Sequence, residues 1–232
     1  MERQQTFEKL MQLPLFQGMS NDDLTQLVGH TKLDFRKAEE RTVIVKEDTP
    51  CRELLFILDG DVLVESRGAN SHYIITETAH GPMAIQPERL FGLHQRYSRS
   101  FTTCSTCHLL SISKQEVLRL LAEQMIFRFN LLNITAAQAH HYERTLWQVP
   151  PANLTQRIIR FIMARCLRPA GEKHIKIKMT TLAEEMGCSR LEVSNALHQL
   201  QDRALLNISR NFIHIPHIEQ TLNLFSSTQQ QK

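Results

Sequence analysis

In the last third of the chain, apolar positions recur three and four residues apart: Leu182, Ala183 and Met186, then Val193, Ala196, Leu197 and Leu200. This spacing predicts two short amphipathic helices within residues 179–200, each burying one stripe. Thr181 with Glu184, and Ser189 with Glu192, have capping-box spacing and mark two helix starts. Gly187 stands between them, able to end the first helix in the left-handed conformation and leaving about three residues for the corner. Two helices joined this tightly make a helix-turn-helix. Before them, residues 174–178 (HIKIK) alternate apolar and basic positions as a half-exposed strand does. After them, residues 206–208 and 212–215 are two short apolar runs around Ser209, Arg210 and Asn211. The whole reads as a winged helix-turn-helix.

Upstream the period changes. A short capped helix over residues 20–29 is followed by strand-like runs at residues 41–46, 54–58, 61–66, 73–78 and 109–113, with turns at Asp59-Gly60 and Gly68-Ala69-Asn70. Many short strands with regular turns predict a jelly roll or small barrel. From residue 113 to about residue 147 there is no Gly or Pro, and Val117, Leu120, Leu121, Phe127, Leu131, Ile134 and Gln138 keep a helical period. One long helix is expected, its seam covered by a second copy of the chain or by the barrel itself. Pro150-Pro151 should break it and serve as a hinge, with Asn153 and Gln156 capping the next helix. The expected fold is therefore α+β: a β-barrel over residues 1–113, a dimerisation helix over 114–148 and a winged helix-turn-helix domain over 149–232.

On the second helix of the motif, Arg190, Leu191, Ser194, Asn195 and His198 are left together on the outer side. Such a face suits the major groove, where Arg pairs with guanine and Asn with adenine. The same positions also fit an ordinary hairpin with a solvated face. Lys176, Lys178 and Arg210 would lie near the duplex backbone, or act only as edge-strand charges.

The segment GCSRLEVSNALHQL, the strand before it, the wing after it and the β-rich region upstream together resemble the CRP/FNR family of bacterial transcription regulators. The likeness runs from the turn Leu15-Phe16-Gln17-Gly18-Met19-Ser20 to the wing. It implies a cytoplasmic dimer that binds a palindromic site in double-stranded DNA, with RNA polymerase as a partner and a small effector at the barrel. Carried over by position, Ser189 contacts a phosphate and Arg190 a base edge. Leu191 falls where many members have a base-reading Glu, and Asn195 where they have Arg, so the operator should differ from the common family half-site. Leu191 could meet a thymine methyl, Asn195 an adenine and Thr180 a phosphate.

Members that bind cyclic nucleotides carry a Gly-Glu pair for the ribose and an Arg-Ser pair for the phosphate. Here Arg99-Ser100 fits the second pair, but Pro87-Glu88 fits the first poorly because Pro lacks an amide hydrogen. Glu88, Arg99 and Ser100 are thus the effector candidates, and the effector is left unidentified. A cyclic-nucleotide-responsive regulator, or an interaction scaffold that never touches DNA, is the alternative.

Charge agrees with the division. From residue 148 onward there are 11 Lys+Arg against 6 Asp+Glu, and before it 16 against 18, within a formal net charge of +3. The tail is basic and the front slightly acidic, as expected if only one of them meets phosphates. No run approaches the roughly 18 apolar residues that span a bilayer, and the opening MERQQTFEKL lacks the character of a secretion signal.

Cys51, Cys104, Cys107, Cys166 and Cys188 are too few and scattered for a disulfide framework. Cys104 to His108 has the spacing of a c-type haem site, without an export signal to support it. If Ser105-Thr106 were a hairpin tip, the flanking thiols could form a redox pair or half a metal site; otherwise they are core filler. No cysteine precedes Cys51, which argues against the family's iron-sulfur sensor. His140 and His141, adjacent on a helix, point to different sides. No Gly-rich phosphate loop, GxSxG or HExxH is present, so no enzymatic activity is expected.

Overall fold

The run ELLFILD is apolar at consecutive positions, and a strand of that kind must be covered on both faces. It forms β3 (Glu53–Asp59), whose five inner residues are all buried. A computed structural model describes residues 3–68, 71–147, 151 and 153–222. They fall into two compact units, one built from Met1–Val62 and Ala79–Trp147, the other from Leu63–Thr78 and Gln148–Lys232.

In the first unit β3 lies within a four-stranded antiparallel sheet. Its order is β1 (Asp34–Ala38), β8 (Cys107–Ser113), β3 and β6 (Met83–Ile85). β2 (Val43–Val45) pairs antiparallel with β7 (Ser100–Thr103), and β4 (Asp61–Arg67) follows β3 in the chain after the turn at Gly60. Strands β1, β6 and β7 escape the hydropathy pattern because they are short, or, in β1, almost wholly exposed. Helix α1 (Arg3–Gln12) and α2 (Asn21–His30) precede the strands; Ser20 and Asp23 form the capping box of α2. Phe16, Phe56 and Phe127 close the core in tilted ring contacts with centroids 5.6 and 5.5 Å apart.

Two expectations change here. The single long helix is in fact two, α3 (Lys114–Glu123) and α4 (Met125–Trp147), separated by Gln124 in extended conformation. Helix α3 packs on β3 and β8, whereas α4 packs on the 3-10 turns Pro14–Phe16 and Pro87–Arg89. Covering different parts of the barrel forces the chain to turn without a Gly or Pro to announce it. Nor is Ser105-Thr106 a hairpin tip: β7 and β8 on either side belong to different sheets, and none of the five cysteines is in a disulfide. Cys107 is buried with its thiol on the Asp61 carbonyl, and Cys104 is exposed. The His108 Nδ1 lies 2.6 Å from the Asp59 carboxylate.

The second unit is built on one antiparallel sheet containing β10 (Asn207–Ser209), β11 (Phe212–Ile215), β9 (Lys173–Ile177) and β5 (Tyr73–His80) in that order. Residues 73–78, a strand that the sequence pattern groups with the barrel, here run beside β9, with Ile75 opposite Ile175 and Glu77 opposite Lys173. Alternation sets the inner face: Tyr73, Ile75, Ile175, Ile177, Ile213 and Ile215 are buried. On them pack α5 (Leu154–Met163), α6 (Met179–Met186) and α7 (Arg190–Asp202). Asn153 caps α5 by accepting the Thr155 amide hydrogen. Of the expected hinge, Pro150 lies outside the described residues.

One polar contact crosses this core. Lys173 and Glu77 are 1% and 3% exposed and meet at 2.5 Å. The carboxylate also accepts from the Leu167 and Arg168 amides, and the ammonium donates to the Ala170 carbonyl at 2.8 Å. Both charges are thereby compensated where no water reaches them.

Candidate nucleic-acid interface

The corner between α6 and α7 is built locally. Gly187 has φ 60° and ψ 40°, and its amide donates to the Ala183 and Glu184 carbonyls, ending α6. A side chain would meet no neighbour there, so glycine serves the backbone conformation rather than space. Ser189 then caps α7: its Oγ accepts the Glu192 amide at 3.2 Å while Glu192 accepts the Ser189 amide at 2.8 Å. These hydrogen bonds hold the Glu192 carboxyl below its ordinary pKa. The first helix starts differently from expectation. Lys178, not Thr181, is the N-cap of α6 and offers no side-chain cap, because β9 runs extended to Ile177 and turns directly into the helix. Thr181 is therefore inside the first turn.

All seven residues expected to form the buried stripes are buried. On the other side Arg190, Leu191, Asn195 and His198 are exposed and Ser194 is half-buried. Leu191 is 70% exposed. Thr180, Lys176, Lys178 and Arg210 are exposed as well. The wing closes at Arg210-Asn211, where Asn211 has φ 64°, and the register pairs Ile208 with Ile213. A groove lined by Met179, Arg190, Arg210, Asn211 and Phe212 separates the start of α7 from the wing. The groove thus has one arginine from α7 and one from the wing in its lining. Arg157 donates to the Met186 carbonyl and ties α5 to the end of α6, a support that the sequence pattern did not mark.

The effector candidates lie in the first unit. Glu88 is half-buried in the 3-10 turn Pro87–Arg89, 4.0 Å from Arg89. Gln86 precedes it in the left-handed conformation, and its amide group bonds both the hydroxyl and the backbone N–H of Ser98. Arg99 is half-buried, and the Ser100 hydroxyl accepts the Glu47 amide at 3.0 Å, so it already holds β7 to the chain beside β2. Burial pushes the Tyr97 hydroxyl and the adjacent Cys51 thiol upward, leaving both neutral. His140 and His141 are exposed on α4.

Two family models match the chain: a cyclic nucleotide-binding domain over residues 35–124 and a Crp-like helix-turn-helix domain over residues 156–220. The protein has the domain make-up of the CRP/FNR transcription regulators and belongs to that family. The catabolite activator protein of Thermus thermophilus shares the fold, at 17% identity and a TM-score of 0.52, over 90% of this chain and 95% of that one. The c-di-GMP responsive global regulator CLP of Xanthomonas campestris aligns at 16% identity and a TM-score of 0.45, over 83% and 97%. No curated protein matches in sequence. Among the described residues, no helix is long and apolar enough to cross a membrane.

Proposed function

We propose that this regulator is a cytoplasmic dimer that reads a palindromic DNA site through α7 and is controlled by a small effector at its barrel. The observation that carries the reading is the open outer face of α7, where Arg190, Leu191, Asn195 and His198 stand exposed beside Arg210 of the wing. In this reading Ser189 and Thr180, at the starts of α7 and α6, contact phosphates, and Arg190 and Asn195 contact base edges. Lys178 and Arg210 flank them toward the backbone. The residues hold DNA without catalysing any step, and RNA polymerase is the partner that turns occupancy into transcriptional control.

Helix α4 supports the dimer through residues other than those expected. Phe127 and Leu131 are buried, and Asn130 between them donates to the Leu15 and Gln17 carbonyls, so that side of the helix belongs to the protomer. Met125, Phe129, Leu132, Ala136 and Ala139 are exposed at four- and three-residue steps, the seam of a two-stranded coiled coil. A two-fold dimer carries two α7 helices, one for each half of a palindromic site. Leu132→Glu should therefore shift the full chain to monomer in analytical ultracentrifugation and weaken binding to a palindromic duplex by more than about ten-fold. A dimer that survives the change would place the interface elsewhere. For the effector, Pro87, which has no amide hydrogen to offer a ligand, favours one other than a cyclic nucleotide.

A further inference from the structure

The outer face of the wing sheet carries a constellation that the DNA reading does not use. His174 on β9 and His214 on β11 are direct cross-strand partners, and their rings stack with centroids 4.7 Å apart and an interplanar angle of 8°. Glu172, the residue before β9, places one carboxylate oxygen 2.6 Å from His214 Nε2 and 3.5 Å from His174 Nε2. The three donor atoms all lie within 4.8 Å of one another. Glu172 and His174 are exposed and His214 is half-buried, so an ion reaches them from solvent without opening the fold. The juxtaposition is a property of the backbone register, because residues opposed in an antiparallel ladder have their Cβ atoms about 5 Å apart.

We propose that Glu172, His174 and His214 bind one divalent transition-metal ion of the zinc class, which ties β9 to the wing strand β11. Two imidazoles and a carboxylate, without thiolate, select zinc and its neighbours over the hard ions calcium and magnesium. With metal–ligand distances near 2.1 Å, tetrahedral donors stand about 3.4 Å apart. Glu172 and His174 already have that separation, at 3.5 Å. Glu172 and His214, at 2.6 Å, need to part by less than about 1 Å, within reach of a rotamer adjustment on an exposed carboxylate. The stacked rings must turn out of parallel for both Nε2 lone pairs to meet one ion, a side-chain rotation open to imidazoles at the surface. Water completes the fourth position. The ion would clip the strand that enters α6 to the hairpin that forms the wing, stiffening the segment that borders the α7 groove.

The test is titration of chelator-treated full-length protein with zinc chloride alone, followed by calorimetry and by thermal unfolding. The expected result is one ion per chain with a Kd of about 1 μM, and a melting temperature raised by several degrees at about 100 μM zinc. His214→Ala and His174→Ala should each weaken binding at least about ten-fold and remove the thermal shift, while His140→Ala, on α4, leaves both unchanged. Both substituted rings lie outside the core, so retained circular dichroism shows that the variants are folded. If the variants bind zinc with wild-type stoichiometry and affinity, or if zinc leaves the wild-type melting temperature unchanged, the site is not a metal site. Neither outcome bears on whether α7 contacts DNA.

Discussion

Replacing Glu77 by Ala is expected to destabilise the unit that contains α7 by about 3–5 kcal/mol, the largest effect of any single change foreseen here. The reason is asymmetry. The pair with Lys173 lies in a dry part of the sheet, and removing the carboxylate leaves an ammonium with one carbonyl partner and no neutralising charge. The Leu167 and Arg168 amides lose their acceptor in the same step. Lys173→Met should cost less, because Glu77 keeps those two amides and the methionine fills much of the vacated space. The combined Glu77→Leu, Lys173→Met chain should recover most of the loss, as buried pairs replaced by apolar residues of similar volume often do. Urea unfolding followed by circular dichroism measures all three. A Glu77→Ala midpoint within error of wild type would mean that water reaches the pair.

Arg190→Ala is expected to lower affinity for a selected duplex by about 1–3 kcal/mol, roughly 5- to 150-fold, and to flatten the preference at one base pair per half-site. Arg190 is the first residue of α7 and fully outside the packed stripe, so its loss should leave the fold unchanged. Lys178→Ala provides the contrast. It should weaken every sequence alike and reduce the salt dependence of binding, as a phosphate contact does. Competition binding against duplexes varied one base pair at a time separates the two. Unchanged base preference in the Arg190→Ala chain would remove the base-reading role from this residue.

The parts of the fold that could be read directly from the residues are those with short-range causes. Gly187, the Ser189–Glu192 box and the stripes of α6 and α7 each act within a few residues, and each appears as expected. Where the pattern misleads, a distant partner is responsible. Thr181 has cap spacing, yet the extended strand β9 feeds the helix earlier and places it in the first turn. Gln124 breaks a run with no helix-breaking residue because α3 and α4 cover different parts of the barrel. On α4, Phe127 and Leu131 have the expected helical period but are taken up by the core. Glu77 and Lys173 are 96 positions apart, and no local pattern couples them until β5 and β9 are known to pair. His174 and His214 lay in strands that alternation had identified, but only the register sets them face to face.

The most direct test of the outward face of α7 as a DNA-reading surface is the affinity of the full chain for a selected duplex across a series of salt concentrations. A protein contacting several phosphates at each half-site should lose about a hundred-fold or more in affinity between 50 and 200 mM salt, linearly in the logarithms of both quantities. Affinity that is weak throughout and indifferent to salt would contradict the account.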